Sequence, residues 1–281
     1  MNLSEEKQIE FTLLAIKDIL QKTKKETLKI EFDLSHKPTI FESKFSGIGY
    51  VPHNSEIPVN SKNQQLRLLA QLECDKIGLE NFPQKGLLQF WTLDDDLTGA
   101  DFDNPTNQDG FRIIYHEEVD KTVTEEEISA KIIPLDDESF FPIDMEVALR
   151  FVKIDDSISF ADCHFDSLFA EAFNKLSPDE TIEGSFDLDI NLWDIDNAEI
   201  KDFTEDSGWG HKINGYPSFT QQDPRDENDD FDTLLLQIDS GKIDDSHEIL
   251  WGDCGICNFF INSEKLKNCD FSEVIYNWDC C

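Results

Sequence analysis

Basic residues are scarce in this chain, because only 24 lysines and arginines stand against 60 aspartates and glutamates, a formal charge of −36. A surface of that sign repels phosphate backbones and anionic lipid headgroups. We therefore expect neither nucleic acid nor a membrane surface as a partner. No apolar run approaches the roughly 18 residues needed to cross a bilayer, and the first residues lack the basic start and apolar stretch of a secretory signal. The sequence thus predicts a cytoplasmic protein.

Short motifs of the common enzyme classes are missing as well. The sequence contains no Gly-rich phosphate loop, no nucleophile elbow and no helix with paired histidines. Cys163 and His164 are adjacent, whereas a Cys–His nucleophile needs side chains within hydrogen-bond reach. If this stretch is a strand, Asp162, His164 and Asp166 share one face, which is open to a metal or to solvent. Whether the protein is an enzyme stays undecided, and the missing motifs favour binding.

The seven cysteines do not form a convincing metal motif. Cys254 and Cys257 have the spacing of a zinc pair, and three more cysteines follow them. However, the stretch aligns with a thiol-free strand earlier in the chain, so we interpret these cysteines as small buried hydrophobes. Without an export signal, they are expected to be reduced thiols.

What the chain does contain is an internal repeat with an offset of about 168 residues. Three blocks recur in the same order: Lys44–Gly47 with Lys212–Gly215, Leu68–Glu73 with Leu234–Asp239, and Gly86–Trp91 with Gly255–Phe260. We expect two similar β-rich units, related by an approximate internal two-fold axis, that bury their apolar faces. The residues expected in their cores are Leu69, Leu72, Phe90, Leu235, Ile238 and Phe259.

The hydrophobic pattern predicts an α+β fold of mostly antiparallel strands with an N-terminal helix. The helix covers residues 4–22, with Ser4 as N-cap and an apolar stripe at Ile9, Leu13, Ile16 and Leu20. Further elements are expected at 28–34, 66–73, 86–93, 111–116, 147–154 and 274–278 as strands, and at 167–176 as a short helix. Residues 1–93 would hold the helix and the first unit, 94–205 an acidic inter-repeat region, and 206–281 the second unit of one compact fold.

Polar residues that recur in both units are candidates for a ligand site. They would converge in a cleft between the units, where paired lysines and amides suit a small anionic ligand. The six candidates are Lys44, Gln71, Gln89, Lys212, Gln237 and Asn258. The alternative is that each lysine pairs with a nearby carboxylate and each amide bonds to the backbone. Gly47 and Gly215 also recur, which indicates a positive φ or a close backbone approach.

A cluster of acidic residues between the units suggests a cation site. Asp101, Asp103 and Asp109 lie near glycines and near Asp94–Asp96. Calcium and magnesium prefer several oxygen ligands of this kind, and crowded carboxylates would raise one another's pKa. The spacing does not match an EF-hand, and solvated acidic loops need no ion. We therefore predict at most a weak calcium or magnesium site, and no other cofactor.

Several ordered blocks resemble the bacterial YwqG-like family of uncharacterised domains. They are Lys44–Gly47, Leu68–Leu72, Gly86–Phe90, Asp101–Arg112, Gly215–Arg225, Trp251–Ile261 and Asp270–Cys280. Ser46 and Asn214 stand where that family more often has the first glycine of a pair. The resemblance implies an α+β fold rich in antiparallel strands and brings no activity, substrate or catalytic residue. Relatives are sometimes encoded near toxin and immunity genes, which is an association only.

Two functions remain open from the sequence. One is a cytoplasmic binding protein, immunity-like, that masks a basic protein partner, because acidic surfaces steer encounters with basic ones. The alternative is an enzyme or small-ligand-binding protein with its site in the cleft between the two units.

Overall fold

One large antiparallel sheet dominates the computed structural model, which describes residues 3–134 and 139–281. All pairings between its ten strands are antiparallel. Numbered in chain order, the strands are β1 (Lys25–Asp33), β2 (Lys44–Phe45), β3 (Arg67–Glu73), β4 (Leu87–Thr92), β5 (Phe111–His116), β6 (Val147–Asp156), β7 (Lys212–Ile213), β8 (Thr233–Asp239), β11 (Ile256–Ile261) and β12 (Val274–Asp279). The short strands β9 (Gly241–Lys242) and β10 (Glu248–Ile249) pair separately.

On each side of a central pair of strands, the other four strands follow one another in chain order. The strand order is β12-β11-β8-β7-β1-β6-β2-β3-β4-β5. The long strands β1 and β6 therefore lie in the middle, from Lys25↔Asp156 to Asp33↔Ala148. Strands β2 to β5 follow on one side, and β7, β8, β11 and β12 follow on the other. All three predicted segments of the chain contribute strands to this single sheet.

A bulge interrupts the pairing on each side of the central strands. The β3–β4 register shifts between Leu68 and Ala70, which leaves Leu69 without a cross-strand partner. The β8–β11 register shifts between Phe259 and Phe260, whose partners are Leu236 and Leu234, so that Leu235 is the extra residue. A bulge bends its strand and increases the local twist, which helps the sheet to curl.

The sheet curls until its two edges nearly meet around an aromatic core. The rings of Phe111 on β5 and Tyr276 on β12 lie 5.1 Å apart, and Tyr276 N–H donates to Pro105 O at 2.9 Å. Phe90 and Phe259 meet edge to face at 4.9 Å across the interior. All six residues predicted for the cores are fully buried, so both halves of the chain share one hydrophobic interior.

The described residues also form six α-helices: α1 (Glu5–Lys22), α2 (Cys74–Ile77), α3 (Glu125–Ser129), α4 (Phe165–Leu176), α5 (Ala198–Asp206) and α6 (Ser263–Lys267). The Ser4 side chain accepts from Lys7 N–H, as predicted for the N-cap. The predicted stripe on α1 faces the apolar cluster formed with α4 and α5, where Ile16 is buried and Ile9, Leu13 and Leu20 are partly buried. The buried positions of the helix also include Gln8, Thr12, Ala15 and Ile19.

Two local expectations have clear outcomes. Gly47 and Gly215 have φ values of +79° and +81°, as predicted, and the preceding Ser46 and Asn214 are also left-handed at +57° and +63°. The conditional strand at Asp162–Asp166 does not form. That segment is a turn leading into α4, so the alternation argument for a shared face does not apply there.

Candidate functional site

The first recurring cluster begins with a lysine buried beneath the loop that follows β2. Lys44 Nζ donates to Ile48 O at 2.9 Å and to Glu146 Oε1 at 2.7 Å. Burial lowers the pKa of Lys44, and the Glu146 carboxylate opposes that effect. A Cβ at Gly47 would overlap the Glu146 side chain, so the glycine allows this carboxylate to approach. The lysine therefore holds a loop in place and has its charge partner in the fold.

Two amides complete the first cluster on neighbouring strands. Gln71 Nε2 donates to Ile40 O at 3.0 Å and to Glu42 O at 2.9 Å. Its Oε1 accepts from Tyr50 N–H at 2.9 Å and from Gln89 Nε2 at 2.7 Å. Both glutamines are fully buried, and these bonds satisfy backbone groups of the covering loops.

Gln89 binds the backbone of Tyr50 and the side chains of Trp91 and His116. Its Nε2 donates to Tyr50 O at 2.8 Å, and its Oε1 accepts from Trp91 Nε1 at 3.1 Å. His116 Nε2 lies 3.0 Å from the same oxygen. Burial lowers the pKa of His116, which favours the neutral ring in this apolar setting.

The second cluster makes the corresponding bonds in the other half of the sheet, beyond the central strands β1 and β6. Lys212 Nζ donates to Tyr216 O at 3.0 Å and to Asp156 Oδ2 at 3.1 Å. Gln237 Nε2 donates to Gly208 O at 2.8 Å and to Gly210 O at 2.7 Å. Burial lowers the pKa of Lys212 against the opposing Asp156 charge.

The third residue of this cluster differs from its counterpart. Gln237 Oε1 accepts from Ser218 N–H at 2.8 Å, and Asn258 Nδ2 donates to Ser218 O at 3.0 Å. Asn258 Oδ1 is buried and meets no hydrogen-bond donor within the described part of the chain. The corresponding Gln89 oxygen is used by Trp91, and Phe260 takes the place of that tryptophan.

The structure does not bring the six predicted residues together. Strands β1 and β6 lie between β7, which carries Lys212, and β2, which carries Lys44. Each lysine has a carboxylate partner and each amide binds backbone groups, which is the alternative that the sequence left open.

The predicted cation ligands point to separate hydrogen-bond partners. Asp101 accepts from Asn104 N–H and Asn107 Nδ2, at 3.0 and 2.9 Å. Asp109 accepts from Ser61 N–H and its hydroxyl, at 2.7 and 2.8 Å. These bonds lower the pKa of both carboxyl groups, whereas crowding was expected to raise pKa values. Asp103 lies exposed in the same loop.

One group with metal-ligand spacing does occur among the described residues, at Asp162, Cys163 and His164. Arg225 Nη2 donates to Asp162 Oδ2 at 3.0 Å and therefore already neutralises that carboxylate. Burial raises the pKa of Cys163 to about 12, so the thiol stays protonated. A buried guanidinium and a neutral thiol do not favour a cation.

The same group lacks the geometry of a nucleophile. Cys163 Sγ lies 3.3 Å from His164 Nδ1, and Asp162 Oδ1 lies 2.9 Å from that same nitrogen. A single nitrogen cannot accept a proton from the thiol while donating one to the carboxylate. The hydrogen bond to Asp162 raises the pKa of His164. We interpret the contacts as structural.

Arg225 organises this corner of the fold, a role that no sequence motif predicted. Its side chain forms two bonds with Asp223, from Nε at 3.0 Å and from Nη2 at 2.7 Å. The guanidinium also lies 4.1 Å over the Phe260 ring. Burial alone would raise the pKa of Asp162, but bonds from His164 and the charge of Arg225 lower it. The network joins the start of α4 to the loop before β8.

A cavity of about 500 Å³ lies on the outer face of β3 and β4. Leu66, Leu68 and Trp91 form its floor. Ile128 of α3 and residues 132–134, which follow that helix, form a wall. A Cβ on Gly49 would lie 2.9 Å from Leu68 Cδ1, so the loop 46–49 can close one side only because it carries glycine. The cavity was not predicted, since its wall and floor are distant in sequence.

Charged groups lie at the rim of this cavity. Arg67 Nη1 donates to the buried Asp94 Oδ2 at 2.6 Å, and its guanidinium lies 4.0 Å over the Phe141 ring. Glu146 reaches the rim while holding Lys44, and Asp95 adds another carboxylate. The rim therefore carries one excess negative charge, that of Asp95, because Arg67 is paired with Asp94 and Glu146 is paired with Lys44.

The fold and these sites define an α+β protein built on a curled antiparallel sheet, with loops fixed by buried polar clusters. A family model described as "Domain of unknown function (DUF1963)" matches residues 43–280. The chain belongs to this family, and the match includes both clusters. A comparison with curated proteins gave no match. Among the described residues, no helix combines the length and apolar character needed to cross a membrane.

Proposed function

We propose that the protein binds a small, largely apolar ligand in the cavity on β3 and β4. The observation that carries this proposal is the volume of about 500 Å³ together with its apolar floor. Ligand sites in proteins are commonly cavities of about 300–1,000 Å³ with apolar walls and a few polar groups. This places the ligand beside the first cluster instead of between the two halves.

The rim indicates the charge of the ligand. Asp95 contributes a carboxylate, whereas the charges of Arg67 and Glu146 are neutralised by Asp94 and Lys44. Bringing an anion to this rim would cost electrostatic energy in a partly desolvated setting. A neutral or cationic aromatic compound therefore fits better than the anionic ligand expected from the lysines.

Three indole compounds of similar shape test this proposal: tryptamine, 3-methylindole and indole-3-acetate. Ligands that bind only the folded state raise stability, by about 2.7 kcal/mol at a hundredfold excess over Kd. Tryptamine and 3-methylindole are expected to raise the Tm, and indole-3-acetate to have little effect.

A variant that narrows the cavity makes the test specific. Ile132 lines the cavity and is partly exposed, so Ile132→Trp should abolish the shifts while the protein stays folded. Val152→Trp, at an exposed position of β6, is the matched control and should retain them. If all three compounds leave the Tm of the wild type unchanged, or both variants behave alike, the proposal is wrong.

A second candidate function is immunity-like masking of a basic protein partner in the cytoplasm. The net charge of −36 favours it, since acidic surfaces accelerate association with basic ones. The loop 226–230 is exposed and carries four carboxylates. Replacing Asp226, Glu227, Asp229 and Asp230 by their amides should weaken capture of a basic partner at low salt, and high salt should weaken it for the wild type. If neither the amide substitutions nor high salt weakens capture of the basic partner, this function is contradicted.

We also infer that the fold consists of two copies of one unit, as the internal repeat suggests. The matching bonds of the two lysines, the equivalent bulges at Leu69 and Leu235, and the mirrored strand order support this inference. So does a further pair: Glu73 N–H donates to Ser43 Oγ, and Asp239 N–H donates to His211 Nδ1. Superposing the two units in an experimental structure tests it.

A further inference from the structure

Two cysteines lie just beyond the last paired residues of β11 and β12. The register runs from Ile261↔Val274 to Ile256↔Asp279. Continued by two residues on each strand, the same antiparallel register places Cys254 opposite Cys281. Residues that face each other across antiparallel strands have Cβ atoms about 4.5–5.5 Å apart, so side chains at such positions can meet.

Two glycines let the chain segments approach closely at this point. A Cβ on Gly255 would overlap Asp279 O, and a Cβ on Gly252 would lie 2.7 Å from Cys280 Sγ. Gly252 has a φ of +61°, which suits the tight turn ahead of β11. The turn 251–255 therefore lies directly on residues 279–281. Cys254 and Cys281 are both exposed, and their sulfur atoms lie 2.9 Å apart.

We propose that Cys254 and Cys281 form a reversible disulfide that fastens the edge strand β12 to the turn before β11. The sulfur atoms need to move about 0.9 Å closer to reach a bond length of about 2.0 Å. Because both thiols are exposed, oxidants and reductants can reach them. The bond would close the loop that contains β11, α6 and β12.

Glutathione disulfide supplies the oxidising equivalents. The Cys254 thiolate attacks one sulfur of glutathione disulfide, which forms a mixed disulfide and releases one glutathione thiolate. The Cys281 thiolate then attacks the Cys254 sulfur, which forms the intramolecular bond and releases the second glutathione. Two protein thiols lose two electrons and two protons, and one glutathione disulfide becomes two glutathione thiols.

The other nearby cysteines are less suited to this bond. Cys257 is fully buried on β11, and burial raises its pKa well above the usual range. Cys280 packs its sulfur against Gly252 and is partly buried. The hydrogen bond between the two thiols raises the pKa of Cys281 to about 11, so the reaction should accelerate as the pH rises above neutral.

The experiment treats the full chain with glutathione disulfide, alkylates the remaining thiols with iodoacetamide after unfolding, and measures intact mass. The oxidised wild type should carry two fewer alkyl groups than the reduced protein, and peptide mapping should link Cys254 to Cys281. A disulfide that closes a loop lowers the entropy of the unfolded chain and thereby stabilises the folded state. Oxidation should therefore raise the Tm by about 5 °C.

Three serine variants separate the proposed pair from its neighbour. Cys254→Ser and Cys281→Ser should lose the link and the Tm increase, whereas Cys280→Ser should retain both. Serine is close in size to cysteine, and the exposed sites tolerate it, so all three variants should fold. Three results for the oxidised wild type would overturn the proposal: every thiol still reacts with iodoacetamide, the reaction stops at the glutathione adduct, or peptide mapping links Cys254 to Cys280.

Discussion

His211 should make the protein less stable in mild acid, and a single substitution can isolate its effect. Its ring lies between Phe32 and Phe45, with centroids 5.1 and 5.8 Å away. Its Nδ1 accepts the Asp239 N–H at 3.0 Å, so protonation at that nitrogen would break the bond. Burial lowers the pKa of His211 from 6.5 to about 4.

The direction of the pH effect follows from this lowered pKa. The unfolded chain takes up a proton at His211 as the pH falls through about 6.5, whereas the folded protein resists until about pH 4. The stability that the neutral ring provides is complete above pH 6.5 and is lost between pH 6.5 and 4. A difference of about 2.5 pKa units corresponds to about 3 kcal/mol, and because the ring is not fully shielded this is an upper value.

The measurement compares urea unfolding of the wild type and His211→Asn at pH 7, 6, 5 and 4. Asparagine offers an oxygen to Asp239 N–H and does not titrate. Its smaller side chain lowers the free energy of unfolding at pH 7. Between pH 7 and 4, however, the free energy of unfolding of the variant should fall by up to about 3 kcal/mol less than that of the wild type.

His164→Asn provides a control of opposite sign. The hydrogen bond to Asp162 raises the pKa of His164, so its contribution is present below pH 6.5 and is lost as the pH rises through the raised value. Equal losses of stability in acid for the wild type and His211→Asn, within about 0.5 kcal/mol, would refute the reasoning for His211.

Three further predictions concern charged residues. Lys44→Met and Lys212→Met should each lower the free energy of unfolding by about 3 kcal/mol, because each leaves a carboxylate without its buried partner; equilibrium unfolding checks this, and a loss below 1 kcal/mol for either variant would contradict it. Arg225→Met should lower the free energy of unfolding by about 3–5 kcal/mol at neutral pH, because it leaves the Asp162 and Asp223 carboxylates without their buried cation, and a loss below 1 kcal/mol would count against the network. Millimolar calcium should raise the Tm of the wild type more than that of Asp103→Ala if the acidic loop binds a cation, and equal responses would remove the site.

The local conformation and much of the burial pattern could be predicted from the sequence. Alternation in β1 and β12 predicted strands because successive side chains point to opposite faces. The recurring Gly47 and Gly215 predicted positive φ because glycine lacks the Cβ that clashes there. These properties depend on near neighbours in the chain, so a pattern of a few residues is enough to reveal them.

Which distant groups meet depends on the tertiary structure. Nothing in the sequence separates Glu146, the partner of Lys44, from the other acidic residues. Glu146 directly precedes β6, and Asp156, the partner of Lys212, is the last residue of that strand. The cavity likewise exists because the segment after α3 folds over Trp91 and Leu68. Such contacts depend on how the curled sheet brings remote loops together, and that approach is set by packing of the whole chain.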